Sequence, residues 1–294
     1  MAKSTKKAKR TSGSAAGSGS FTRALVASPG FVLSEGDSRS TPAYAGDKAA
    51  GTELLATTVS ELADLQEKLY AQSRAGAKAA VLLVVQGMDT SGKGGIMRHV
   101  VGSVDPQGVR YTAFKAPSKE EREHPFLWRI RNALPRPGQI GVFDRSHYED
   151  VLIARVHNLV PHATWGRRYG QINTFEETVT QAGTTIVKVM LHISSDEQKA
   201  RLTARLESPG KHWKYNPADV DEREHWPAYQ EAYQVAIERC SIKDAPWFVV
   251  PADRKWYARL AVQQLLVEQL RAMSPQWPAA TYDVEGEKTR LSAT

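Results

Sequence analysis

The segment Gly87-Met88-Asp89-Thr90-Ser91-Gly92-Lys93-Gly94-Gly95 carries the chemistry most plainly. Its G-x4-G-K spacing lets successive backbone N–H groups wrap a phosphate. The lysine adds a point charge, and the helix that follows aims its positive end at the same anion. Gly87, Gly92, Lys93 and Gly94 are therefore candidate phosphate-binding positions. The residue after the lysine is Gly94, where such loops usually place a Ser or Thr hydroxyl on Mg²⁺. A hard cation must then be held by carboxylates, and the loop carries one, Asp89.

A second acid, Asp144, ends the apolar run Ile140-Gly141-Val142-Phe143. Ligands of open α/β sheets gather at the carboxyl ends of strands, so Asp144 is expected to face the loop and share the metal with Asp89, while Arg145 neutralises a phosphate. An Asp capping the next helix is the plainer alternative. Glu149 and Asp150 read as acids of a first helical turn and His147 as a hydrogen-bonded structural group. Farther on, Arg201 and Arg205 share one helix face at i, i+4, and Lys211 and Lys214 follow a break at Ser208-Pro209-Gly210. Together they suggest a cationic flap, although charges so spaced also mark an ordinary solvated helix. Arg129 with Arg131, and Arg167 with Arg168, are further cations of lower weight.

The elements that must position these groups alternate. An amphipathic helix is expected from about Gly51 to Ser73, then strands at 79–86, 109–114, 139–143, 185–193 and 246–250 with helices between. The strands are continuous apolar runs, so both sheet faces are covered. This predicts a three-layer α/β fold with a parallel five-stranded sheet. The charged stretch at about 196–239 is expected to form a helical lid.

The chain divides on this reading into a disordered basic tail (1–30), an extension with the amphipathic helix (31–75), a phosphate-loop domain (76–275) and a C-terminal tail (276–294). Of the formal charge of +7, six bases lie before the first acid, Glu35, and the remainder is only +1. Bulk charge therefore argues no nucleic-acid partner. One cysteine, Cys240, excludes an internal disulfide and reads as a small buried side chain. No apolar run has membrane-spanning length, and a cytoplasmic protein without membrane contact is expected. The residues leave open a phosphotransferase, an ATP-dependent small-molecule kinase and a non-catalytic phosphate-loop binder. Asp89 and Asp144 together favour an enzyme.

Several segments in order, Gln86-Gly87-Met88-Asp89, Phe143-Asp144-Arg145-Ser146-His147-Tyr148-Glu149-Asp150, Lys211-His212-Trp213-Lys214 and Ala245-Pro246-Trp247-Phe248-Val249-Val250-Pro251-Ala252-Asp253, resemble the polyphosphate kinase 2 family, in particular its polyphosphate:nucleotide phosphotransferase branch. The resemblance spans about Leu55 to Arg271. It implies a P-loop kinase fold, Mg²⁺, and reversible transfer of the terminal phosphate of inorganic polyphosphate to ADP or GDP, with AMP a further acceptor, giving ATP or GTP. It also implies a homo-oligomer, a dimer or tetramer. Carried over by position, Lys93 and the loop amides hold phosphates, Asp89 and Asp144 organise Mg²⁺, and Arg145, Arg201 and Arg205 neutralise phosphate oxygens.

Overall fold

The computed structural model describes residues 19–294, so most of the expected basic tail lies outside the described residues. In chain order the elements begin with α1 (Phe21–Leu25), α2 (Lys48–Thr57), α3 (Val59–Arg74), β1 (Ala80–Gln86) and α4 (Lys93–His99). There follow β2 (Val109–Ala113), α5 (Lys119–Glu123), α6 (Trp128–Ala133), β3 (Ile140–Asp144), α7 (Ile153–Val156), α8 (His162–Gln181) and β4 (Thr184–His192). The chain closes with α9 (Ser195–Leu206), α10 (Ala218–Asp221), α11 (Trp226–Cys240), β5 (Trp247–Pro251), α12 (Lys255–Met273) and α13 (Val284–Ser292).

The five strands form one parallel sheet in the order β2-β3-β1-β4-β5. Every residue of β1 and β5 is buried, as continuous apolar runs require when both sheet faces are covered. One face packs on α6, α8 and α11 through Phe143, Phe175, Ile186 and Ile237; the other packs on α3, α4 and α12 through Val85, Ile96, Val189 and Leu265. The three-layer α/β architecture is therefore the expected one, and β1 at its centre delivers the phosphate loop between β3 and β4.

Three expectations are corrected. The tail expected over 1–30 ends sooner, because Phe21 and Leu25 are buried apolar anchors and Glu268 accepts from the free first-turn amides Phe21 N (2.8 Å) and Thr22 N (2.9 Å). The single helix expected over 51–73 is two, α2 and α3, breaking at the β-branched run Thr57-Thr58-Val59, which disfavours a helix interior. The stretch 196–239, expected as a helical lid, does not stand wholly apart from the core. In α11 the side chains of Ala232, Tyr233, Ala236, Ile237 and Cys240 recur at helical spacing and join the core. The C-terminal tail contains α13, which buries none of its residues.

The segment between α1 and α2 crosses the carboxyl ends of β4 and β5. There His192 Nε2 pairs with Gly36 O at 3.0 Å, and burial lowers the imidazole's pKa although the Gly36 carbonyl opposes it. A histidine kept neutral in the fold but free to protonate when unfolded means that the unfolded state binds more protons below the ordinary pKa of 6.5. Stability is thus expected to fall by about 1.4 kcal/mol per pH unit below that point, until the folded imidazole also protonates. In His192→Gln this part of the acid slope should vanish. Urea midpoints at pH 7, 6 and 5 test it, and an identical slope in both proteins refutes it.

Candidate active site

Local sequence explains the loop's shape. Gly87 has φ 148°, and a Cβ there would stand 2.7 Å from Ser91 Oγ and 2.8 Å from Leu191 O. Gly92, at φ 118°, turns the chain into α4. Thr90 also lies in the left-handed region, at φ 62°. Lys93, first residue of α4, folds back so that Nζ donates to Gly87 O (2.7 Å) and Met88 O (3.2 Å), which stations its charge at the centre of the loop. Burial lowers the Lys93 pKa, an effect that Asp89 partly opposes and Arg145 adds to. Nothing lies within 4 Å of where a Cβ on Gly94 would be. The missing hydroxyl is thus a feature of the sequence and not a steric exclusion.

From β3, Arg145 N donates to Val85 O (3.1 Å). Arg145 itself adopts φ 64°, which turns the chain sharply and sends its side chain toward the loop. Arg145 Nη2 bonds Asp89 Oδ1 at 2.7 Å, and Nη1 lies 3.6 Å from Glu149 Oε2. Burial works against the guanidinium's charge, but Glu149 and Asp89 outweigh it and its pKa is raised. Asp144 stands beside them with Tyr111 Oη 3.4 Å from its Oδ2. The structure therefore brings Gly87, Asp89, Gly92, Lys93, Gly94, Asp144 and Arg145 together at the carboxyl edge of β1 and β3.

The flap arginines are placed differently. Arg201 is buried, and all its donors are engaged: Nε with Glu197 Oε1 (2.8 Å), Nη1 with Thr90 O and Ser91 O (both 2.9 Å), Nη2 with Ala252 O (2.6 Å) and Asp253 O (3.0 Å). It clasps the back of the phosphate loop to α9 and to the end of β5, with no donor left for a phosphate. This departs from the phosphate-neutralising role expected of it. Arg205 is held within the flap by Asp219 Oδ2 (3.2 Å) and Lys214 O (3.1 Å). Lys211 and Lys214 are exposed on the turn Pro209–Lys214. Arg201→Lys, which keeps the charge but loses the fork, is expected to lower the Tm of the ligand-free protein by about 5 °C or more, because loop carbonyls are left unpaired. Calorimetry without substrate checks this, since a purely phosphate-binding arginine would leave that Tm unmoved.

Sequence reasoning passed over Glu149. It is largely buried, and its pKa is raised by burial, with Arg145 and Lys93 opposing. With the Gln86 amide oriented to satisfy its neighbours, its NH₂ donates to Glu149 Oε1 and its carbonyl accepts from Ser146 N and Oγ, each at 3.0 Å. The i, i+4 spacing from Arg145 was the available signal. Gln198 was also missed; its amide donates to Asp89 O (3.0 Å) and accepts from Arg223 (2.7 Å), tying α9 to the loop. His147 is structural: fully buried, its Nε2 pairs with Glu176 Oε1 at 3.1 Å, beside the buried ion pair of Glu176 with Lys188.

Beyond Arg145 and Glu149, on the β2/β3 side, opens a cavity of about 560 Å³. It is lined by Phe114, Phe126, Arg129, Ile153, Leu159 and Arg168, among others. Arg168 lies over the Phe126 ring (4.9 Å) and pairs with Asp150 Oδ1 (3.0 Å), and Arg129 lies over Phe114 (5.4 Å) and 3.5 Å from Glu121. Aromatic walls with the Arg145 cation at the end that meets the loop suit a ligand with an apolar ring and a charged tail. Of the weaker sequence candidates, Arg129 and Arg168 thus line this cavity; Arg131 lies over the Phe175 ring (4.9 Å) and Arg167 is exposed.

Comparison with known proteins identifies the family. The family profile described as Polyphosphate kinase 2 matches residues 45–278. An AMP/ADP-polyphosphate phosphotransferase of Meiothermus ruber is 44% identical over 248 residues, covering 84% of this chain and 91% of that protein. An ADP-polyphosphate phosphotransferase of Rhodopseudomonas palustris is 44% identical over 241 residues, 78% of this chain and 82% of the other. The crystal structure of Polyphosphate Kinase 2 from Arthrobacter aurescens TC1 superposes with a TM-score of 0.93 at 53% identity, covering 95% of this chain and 99% of that one.

Proposed function

The chain belongs to the polyphosphate kinase 2 family, and from that premise we propose that its site moves the terminal phosphoryl group of inorganic polyphosphate onto a nucleotide, reversibly, with ADP and GDP as acceptors and AMP as a further one. The observation that carries this reading is the placement of a cavity with aromatic walls and a cationic end directly across Arg145 from the phosphate loop. Donor and acceptor phosphates can meet there, on either side of one guanidinium.

Phosphoryl transfer needs positioning and charge stabilisation more than covalent chemistry. An acceptor phosphate oxygen attacks the terminal phosphorus of the donor. The new P–O bond forms as the anhydride bond breaks, and the shortened polyphosphate leaves with its negative charge. Lys93 and the loop amides hold the phosphates on the leaving side, and Arg145 neutralises the transferring group. No base is required, because the attacking oxygen is already ionised.

The donor set fits a hard divalent cation, Mg²⁺ in this proposal. Asp89 and Asp144 offer carboxylate oxygens, Asp89 Oδ2 has no hydrogen-bond partner among the described residues, and no third His, Cys, Asp or Glu joins them in a metal-binding group there. Two carboxylates with substrate oxygens completing the shell is the way Mg²⁺ is commonly held. When bound, the cation would supply neutralisation of phosphate charge. We further propose a cytoplasmic homo-oligomer, dimer or tetramer; no described helix is long and apolar enough to cross a membrane.

The test supplies purified protein with polyphosphate, Mg²⁺ and ADP, GDP or AMP in turn. Expected is phosphorylated nucleotide that requires polyphosphate, with Lys93→Ala as the blank. Consumption of ATP on another small molecule, with polyphosphate inert, overturns the reading. Light scattering of the same sample gives the assembly state.

A further inference from the structure

The turn His147–Asp150 that follows β3 presents two faces. Arg145, Glu149 and Asp150 reach the phosphate loop or the acceptor cavity. His147 and Tyr148, between them in sequence, turn into the core and are fully buried. Aromatic side chains so placed are ordinarily held by apolar contacts, whereas these two are held by charged partners.

Glu176 of α8 and Lys188 of β4, neither with any exposed surface, form an ion pair with Nζ 2.5 Å from Oε2. Lys188 Nζ also donates to Cys240 O at the end of α11 (2.6 Å) and to Tyr148 Oη (3.0 Å), and Tyr148 Oη in turn donates to Glu176 Oε1 (2.9 Å). His147 Nε2 pairs with the same Oε1 at 3.1 Å. The Tyr148 ring packs edge-on against Trp247, and the Lys188 ammonium lies 5.4 Å from both ring centroids. Tyr148 N donates to Ser146 Oγ (3.2 Å), and Tyr148 O accepts from Val151 N (3.0 Å) and Leu152 N (2.9 Å). Hydroxyl, amide and carbonyl of this one residue are therefore all committed, and the hydroxyl is fixed in direction by a charged donor and a charged acceptor.

A buried ion pair is a poor source of stability. Desolvation of the two charges offsets most of their attraction, and apolar residues of similar volume commonly serve the fold as well. What such a network supplies is a single geometry, since a ring in an apolar slot can tilt or slide and a hydroxyl with two directional partners cannot. The need for it lies three residues upstream. Arg145 is held at φ 64° with its guanidinium between Asp89 and Glu149, and a turn free to tilt would relax that backbone and displace the charge.

We propose that Tyr148, pinned by Glu176 and Lys188, is a positioning residue for phosphoryl transfer, fixing from behind the turn that carries Arg145 and Glu149. The proposal rests on the reading of Arg145 as the cation of the transferring group. It gives the Glu176–Lys188 pair a task in turnover beyond its place in the core.

The test removes only the hydroxyl. Tyr148→Phe keeps the ring, its contact with Trp247 and the Glu176–Lys188 pair, so the Tm should stay within a few degrees of wild type. The kcat with polyphosphate and ADP should fall about tenfold, with KM for either substrate changed by less than about twofold, because a small displacement of a reacting group costs rate more than ground-state binding. In an Arg145→Gln background the same substitution should lower kcat by less than about twofold, since the group it positions is gone. Glu176→Gln with Lys188→Met removes both charges together and strands neither. This second variant should also lower kcat severalfold and lose that effect in the Arg145→Gln background, and it serves should Tyr148→Phe fail to fold. A Tm loss with kcat unchanged, or a kcat loss as large in the Arg145→Gln background as in wild type, makes the network a matter of the fold alone and overturns the proposal. Full activity in Arg145→Gln itself would overturn the reading of Arg145, and the positioning role with it.

Discussion

Lys93→Ala is expected to lower kcat with polyphosphate and ADP by about a thousandfold or more, while the Tm stays within a few degrees of wild type. Lys93 is the single cation held inside the loop, and its two hydrogen bonds go to backbone carbonyls that stand at the rim of the site. In the proposed mechanism, removing it takes away a charge that meets the phosphates directly. It also removes a charge that burial already disfavours, so the fold loses little. The same lowered pKa gives the reaction a pH signature. A lysine whose pKa lies below its usual 10.5 loses its proton sooner as pH rises, so the alkaline limb of kcat/KM for the donor should begin below that value. Single-turnover rates for the two proteins decide the first point and a pH profile the second. Retention of more than a tenth of the wild-type rate in Lys93→Ala would remove Lys93 from the mechanism.

Much of this arrangement is legible in the sequence, for a physical reason. A buried parallel strand must be apolar on both faces, so all five strands were visible to within a residue or two, and a glycine loop after the central one leaves few alternatives. What sequence concealed depends on tertiary partners. Arg201 and Arg205 sit at a spacing that suits both a solvated helix and a phosphate flap. The deciding fact, that the Thr90, Ser91, Ala252 and Asp253 carbonyls surround Arg201, brings together segments up to 111 residues distant. In the same way α11 reads as charged when averaged over the whole stretch from 196. Its buried stripe emerges only once the helix is known to start at Trp226.

Glu149 illustrates a subtler loss. Acids after a strand end are common in first turns, and nothing local distinguishes one that solvates a dipole from one drawn into a site. Its role is fixed by Arg145, whose left-handed backbone swings the guanidinium between Asp89 and Glu149. A non-glycine residue held at φ 64° costs the fold of the order of 1 kcal/mol or more. Such strain persists only where the surroundings over-determine it. At this position they do, through Arg145 N on Val85 O and two carboxylates on the side chain.

Arg145→Gln should therefore produce the second large effect, a fall in kcat of about 10² to 10³, with a stability cost that has a separable origin. The glutamine keeps the backbone turn but removes the cation that the proposed mechanism sets between donor and acceptor phosphates, which should lower kcat. Its absence also leaves Asp89 and Glu149 facing each other without the charge between them. Glu149, whose pKa burial already raises, would then rise further and take up a proton on folding nearer neutral pH. By linkage, a carboxyl whose folded pKa lies above its unfolded value destabilises the fold as pH rises through that window. The single variant should thus be less stable at pH 8 than at pH 6 relative to wild type, and adding Glu149→Gln should recover that difference without recovering activity. A double-mutant cycle read both as Tm at the two pH values and as kcat separates the two effects. If activity returns with stability, Arg145 serves only to neutralise Glu149, and the transferring phosphate must find its charge elsewhere.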